Sequence, residues 1–221
     1  MKIPMQPIHR VLGTAAIVAI FCTVFSTAVH ATEFRMGVGL PVSSIVGTNS
    51  SRFKMGVGFE AIMDIQTDRE SSYFINVSTN SLPGSGPTPE GASPEIILRP
   101  DVSWWGFNVG AAYYPLRRKE GTTPVLSADY GFQFVTENIL QEDLAVGTSN
   151  TTTNSLMFQS LGFSVGVEHQ VNTKLSVHGR GKININMPMN APKNYSIIYS
   201  NSEYSFIVAQ FVIGTEFRFG K

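Results

Sequence analysis

Phe53-Lys54-Met55-Gly56-Val57-Gly58-Phe59-Glu60-Ala61-Ile62-Met63-Asp64-Ile65 decides the fold class of this 221-residue chain. Read at every second residue, it separates Phe53, Met55, Val57, Phe59, Ala61, Met63 and Ile65 from Lys54, Gly56, Gly58, Glu60, Ile62 and Asp64. A period of two belongs to a β-strand, whose successive side chains leave on opposite faces. One face here is apolar, and the other mixes glycine with charge. The opening is nearly copied upstream, where Arg35-Met36-Gly37-Val38-Gly39 parallels Lys54-Met55-Gly56-Val57-Gly58.

Working outward, the same alternation recurs in eight runs, over residues 33–40, 53–65, 73–78, 104–114, 126–134, 160–168, 175–185 and 207–219. Past Ala31 no stretch has helical periodicity. The connections alternate as well. The first, third, fifth and seventh are long, whereas residues 66–72, 116–123 and 169–174 are tight. A barrel whose two ends face different compartments has this long–short rhythm. Residues 79–100 carry Pro83, Pro87, Pro89, Pro94 and Pro100, and proline lacks the N–H a central strand needs. That segment is expected to be a mobile exterior loop, as are residues 141–154 with Thr151-Thr152-Thr153.

Alternation alone does not say which face is inside. An apolar interior gives a soluble sandwich or calyx; an apolar exterior gives a membrane barrel. The apolar faces contain no Asp, Glu, Lys or Arg, as a lipid-facing wall requires, since a charge at mid-bilayer costs roughly 2–4 kcal/mol. The opposite face holds Gly37, Gly39, Gly56, Gly58, Gly106, Gly110, Gly131, Gly162, Gly166 and Gly214. Glycine weakens a strand and has no advantage on an open surface. Inside an eight-stranded barrel, where side chains just fill the lumen, small residues must interleave with large ones. The same face carries Arg35, Lys54, Arg180, Lys182 and Arg218 against Glu60, Asp64, Asp129, Glu168 and Glu216, five of each sign, with His178 among them. Opposed charges can be buried together, whereas single ones cannot. The expectation is an all-β, eight-stranded, antiparallel up-and-down transmembrane barrel with these eleven residues as its polar lumen. Trp104, Trp105, Tyr113, Tyr114, Phe217 and Phe219 near strand ends suit interfacial girdles.

Composition agrees. Only 14% of residues are charged, against roughly 25% in ordinary soluble domains. The 16 basic and 16 acidic side chains leave no basic excess, so nucleic acid is not an expected partner. At the N-terminus, Lys2 and Arg10 precede an uncharged apolar stretch over residues 11–29, and Val29-His30-Ala31 offers small residues at −3 and −1. This is the plan of a secretory signal peptide over residues 1–31, leaving residues 32–221 as the barrel domain. Its removal takes Cys22, the single cysteine, and leaves two more acids than bases. A thiol, a disulfide and a cysteine metal site are thereby excluded from the mature chain.

Val109-Gly110-Ala111-Ala112-Tyr113-Tyr114-Pro115 closes one strand. Gly166-Val167-Glu168-His169-Gln170-Val171-Asn172-Thr173-Lys174-Leu175-Ser176-Val177 is a glycine-rich strand turning through a polar hairpin. On these residues the chain resembles the small outer-membrane β-barrels of Gram-negative bacteria, the outer membrane protein A-like and opacity-protein-like group. The resemblance implies the outer membrane as location, its lipid and the barrel-insertion machinery as partners, and a single chain closing the barrel. The family often has an aromatic residue where His169 stands and ends on Phe or Trp, where Gly220 and Lys221 follow Phe219 here.

Catalytic chemistry finds little support. Ser164, Glu168, Ser176 and His178 share the inward face, but a lipid-acting site belongs near the outer rim, and His178 lies close to the short-turn end. Glu60 and Asp64, four residues apart in a strand, are about 13 Å apart, too far for paired acid–base work. Arg117-Arg118-Lys119 reads as a solvated turn. No cofactor and no metal is expected. The main reading is a structural or surface-interaction barrel using residues 79–100 and 186–202. The alternatives are a narrow passive channel, a lipid A-modifying enzyme and a soluble periplasmic lipocalin-like carrier.

Overall fold

The computed structural model describes residues 33–47, 50–68, 70–85, 88–90, 93–115, 121–190, 196 and 206–219. The expected signal peptide, the basic run 117–119, Gly220, Lys221 and most of 189–205 lie outside the described residues.

The alternating runs form strands β1 (Glu33–Val46), β2 (Gly56–Gln66), β3 (Ser71–Pro83), β5 (Ser93–Tyr113), β6 (Gly121–Asp143), β7 (Thr148–Gln170), β8 (Leu175–Pro188) and β9 (Phe206–Phe219). A three-residue strand, β4 (Thr88–Glu90), pairs only with β5 outside the ring. Each barrel strand pairs antiparallel with its sequence neighbours. Two pairings shut the ring: β1 with β9, from Phe34 opposite Phe219 to Val46 opposite Ile207, and β3 with β5. Eight strands thus form a closed antiparallel barrel. Closure gives each of these eight strands a neighbour on both sides, so the ring itself has no free edge.

The sidedness is as the glycines and charges require. Phe59, Val165 and Ile213 point outward, 48%, 62% and 60% exposed, while Glu60 is buried and Arg218 nearly so. Glycines make room for the interior. A methyl on Gly37 would sit 2.6 Å from Cγ of Glu216, and one on Gly110 would meet Cζ of Phe74 at 2.6 Å and the carbonyl oxygen of Ala128.

Two expected loops prove to be largely strand. Residues 79–83 belong to β3 and residues 93–100 to β5. Residues 141–143 finish β6 and residues 148–154 start β7, so the fifth connection is only Leu144, Ala145, Val146 and Gly147. Asp143 caps this turn through Oδ1, which accepts from the N–H groups of Ala145 at 3.0 Å and Val146 at 3.2 Å, and Gly147 takes a φ of +69°. The physical reason lies in a reversal of face polarity. Beyond Trp105, outward positions turn polar (Ser103, Asp101, Thr136, Asn138, Thr153, Ser155) and inward positions turn apolar (Val102, Leu98, Val135, Ile139, Leu156). Threonine-rich sequence therefore forms a water-facing strand, for which its β-branched side chain is suited. Pro83 and Pro100 fall where the β3–β5 ladder ends, the place where a missing N–H costs least.

β6 and β7, at 23 residues each, are about twice as long as a tilted membrane strand needs. Their outer halves form, with β5 and the ends of β1, β3 and β9, a projection filled by Ile45, Leu82, Leu98, Val102, Trp104, Val135, Ile139, Leu156, Phe158 and Val208. Phe158 and Phe206 meet edge to face there, ring centroids 4.8 Å apart.

Candidate functional site

Inward positions of β1, β2, β7, β8 and β9 place most of the predicted polar residues in one buried network. Arg35, fully buried, is its hub. Its Nη1 donates to both Glu168 oxygens at 3.0 and 3.1 Å, its Nη2 to Oε1 of Gln66 at 2.8 Å, and its Nε to Oε1 of Glu33 at 2.7 Å. The guanidinium carbon lies 5.6 Å from the centroid of the Tyr114 ring. Glu168 is shared, since Nη2 of Arg218 donates to its Oε1 at 2.8 Å. Arg35 and Glu168 stand 133 positions apart, and only closure of the ring brings them together. The guanidinium spreads its donors over Glu33, Gln66 and Glu168, so it is held in place as well as neutralised.

A second group centres on Glu216. Its Oε1 lies 3.3 Å from Nδ1 of His178 and 3.9 Å from Nη2 of Arg180. Nη2 of Arg180 also reaches Glu60 Oε1 at 3.3 Å and His178 Nε2 at 3.0 Å. A guanidinium only donates, so Nε2 of His178 is the acceptor and Nδ1 carries the proton toward Glu216. Further along, Nζ of Lys182 meets Oδ2 of Asp129 at 2.8 Å. Asp64 takes hydroxyl bonds from Ser72 at 3.0 Å and Tyr114 at 3.2 Å.

Lys54 does not join them. The lumen was expected to hold it, but it precedes β2 and is exposed, its backbone N–H donating to the carbonyl of Pro83 at 2.8 Å. The 3-10 turn Ser50–Arg52 and a lone bridge from Phe53 to Gly84 end the strand pattern there. Phe53, expected on the lipid side, is consequently buried in the outer core. The lumen therefore holds four permanent cations from the predicted set, with His178, against five carboxylates.

Tyr114 and Trp104, expected in an interfacial girdle, are instead buried inside the barrel, where Tyr114 binds Asp64. Residues not singled out from the sequence complete the network: Gln66 and Ser72 bind the charged groups directly, and Ser43, Asn80, Asn184 and Gln210 form a hydrogen-bonded chain across four strands. Glu137, fully buried, accepts from Nδ2 of Asn154 at 3.3 Å inside the projection. Parity would have placed both inward, but the alternation is followed only to Phe134 and Asn154 falls in the expected loop 141–154.

Space in this interior is scarce. Ile62, Phe74, Ala112, Tyr114 and Val125 pack into a second apolar cluster toward the short turns. A cavity of about 10 Å³, room for one water, lies among Glu60, Trp104, Lys182 and Gln210. The arrangement is suited to holding the wall rigid. For acyl transfer, a serine would need Nε2 of His178, and Arg180 occupies it. Among the described residues no group of three His, Cys, Asp or Glu could hold a metal ion.

No protein-family model matches the chain, and no curated protein does. Solved structures do match. The attachment invasion locus protein Ail of Yersinia pestis aligns over 86% of this chain and 99% of its own, with 11% identity and a TM-score of 0.50. Ail in complex with the heparin analogue sucrose octasulfate aligns over 85% and 98%, with 12% identity and a TM-score of 0.50. Neisserial surface protein A aligns over 84% and 97%, with 13% identity and a TM-score of 0.52. The chain thus has the fold of the small eight-stranded outer-membrane barrels.

Proposed function

We propose that this chain is an exported outer-membrane barrel that acts structurally or in surface contact, with a plugged lumen and no catalytic role. One observation carries the reading: the barrel wears its large apolar side chains on the outside. Leu40, Val57, Val165 and Ile213 are each at least 60% exposed, while Arg35, Asp64, Glu168 and Glu216 are buried. Water-soluble monomers rarely expose contiguous apolar patches beyond a few hundred Å². Outward apolar positions on β5 run from Tyr113 to Trp105, eight residue steps or about 27 Å along a strand. At a tilt of about 40° this is a band on the order of 20 Å tall, near that of outer-membrane barrels.

The long-loop end would then face outward, so the projection built on β5, β6 and β7 stands above the lipid. Residues 79–100 and 186–202 remain the proposed contact regions. Among the described residues the projection exposes Arg99 paired with Glu142 at 3.1 Å, along with Asp101. Residues 1–31 would be the export signal, with lipid and the barrel-insertion machinery as partners and a monomer as the assembly.

Fractionation with heat-modifiable gel mobility tests the reading. Recovery in the outer membrane, with a boiled band migrating differently from the unboiled one, is the expected result; a chain soluble without detergent refutes it. Planar bilayers test the plug, where steady conductance would favour a narrow channel instead. Unchanged lipid A in cells expressing the protein, read by mass spectrometry, is expected of a non-enzyme.

A further inference from the structure

Strand register places two outward rows side by side at the top of the apolar belt. One row is Val57, Ser81, Ser103 and Thr136; the next is Phe59, Thr79, Trp105 and Phe134. Thr79, Ser81 and Ser103 are small and hydroxylated, while Val57, Phe59, Trp105 and Phe134 around them are bulky. The rings of Trp105 and Phe134 stack at 4.2 Å with their planes 13° apart, so the indole leans toward β6 and away from β3. The result is a groove of about 320 Å³ in the outer wall, floored by Thr79, Ser81 and Ser103 and walled by Val57 and the stacked pair. That volume is at the low end of small-molecule sites.

We infer that this groove binds the uncharged saccharide headgroup of a glycolipid in the leaflet around the barrel. The inference rests on the membrane reading above, because the groove is continuous with the apolar belt and sits where it gives way to polar side chains. Three features select the occupant. None of the lining residues is charged, so a phosphate headgroup finds no cation. The hydroxyl floor would leave an acyl chain facing polar groups. A sugar ring has apolar C–H faces for the aromatic wall and hydroxyls for Thr79, Ser81 and Ser103. Aromatic side chains serve such half-wet, half-apolar positions.

The test is native mass spectrometry of the full barrel released from nanodiscs holding equal phosphatidylcholine, phosphatidylglycerol and monohexosyl diacylglycerol. The wild type is expected to retain the glycolipid about tenfold over either phospholipid, as one or two net hydrogen bonds would give. Ser81→Leu with Ser103→Leu, which fills the floor, should bring retention to parity. Thr79→Val, nearly isosteric, should lower it severalfold while heat-modifiable mobility stays intact. Equal retention of all three lipids by the wild type, or a preference untouched by both variants, overturns the inference and leaves the barrel reading standing. A chain that needs no bilayer at all removes both.

Discussion

The Lys182–Asp129 pair offers the sharpest probe of a dry lumen. Nζ and Oδ2 are 2.8 Å apart, and the two side chains are only 10% and 2% exposed. At an effective dielectric constant of about 20 the attraction at that distance is about 6 kcal/mol; in bulk water it falls to about 1.5 kcal/mol. Desolvation offsets much of the larger figure, so the net worth of the pair is small, but stranding one partner is costly. Lys182→Met leaves Asp129 without its ion-pair partner and should cost about 3–5 kcal/mol. Asp129→Asn should cost a similar amount by stranding the lysine. The double variant should lie within about 1 kcal/mol of the wild type, since neither charge then remains. The assay is urea unfolding in lipid vesicles, followed by heat-modifiable mobility, with all four members of the cycle measured together. Single variants that each cost under about 1 kcal/mol would mean the pair is solvated. The plugged lumen would then be wrong, and a water-filled passage would take its place.

Four further outcomes follow from the same geometry. Gly37→Ala should destabilise the barrel by about 1–3 kcal/mol, because the added methyl meets Glu216, Ile62 and the Thr215 carbonyl at 2.6–2.8 Å. Gly181→Ala, outward with its nearest neighbour 3.9 Å away, should be neutral or stabilising; equal effects in vesicle unfolding would contradict the interleaving of glycine and side chain. Phe163→Arg and Thr153→Arg both point outward from β7, yet the first should cost roughly 2–4 kcal/mol of folding in bilayers and the second almost nothing. Leu156→Ala should loosen the projection by about 2–5 kcal/mol, read as faster hydrogen exchange at residues 135–140 with the lower barrel unchanged. Exchange of those amides within the dead time in the wild type would show that the projection is a loop after all.

What could be read from the chain alone was whatever a strand settles locally. Period-two alternation assigned Val57, Phe59 and Val165 to one wall and Glu60, Glu168 and Glu216 to the other, because pleating alternates side chains whatever the strand later pairs with. The glycines on the charged face disclosed the closed interior, since their only use there is to yield space. Two matters depended on the assembled ring. The first was where strands end: at Trp105 the apolar face changes sides, and a run such as Thr151-Thr152-Thr153 resembles loop until Leu156, Ile139 and Val102 are seen converging behind it. The second was which charges meet. Arg35 and Glu168 are joined by the register of β1, β9, β8 and β7 taken in turn, a sum of pairings no single segment encodes. Lys54 has the right parity and the wrong place, because parity holds only while the ladder lasts and the 3-10 turn Ser50–Arg52 breaks it just upstream. Local sterics choose the faces of a strand; closure of eight of them chooses the neighbours.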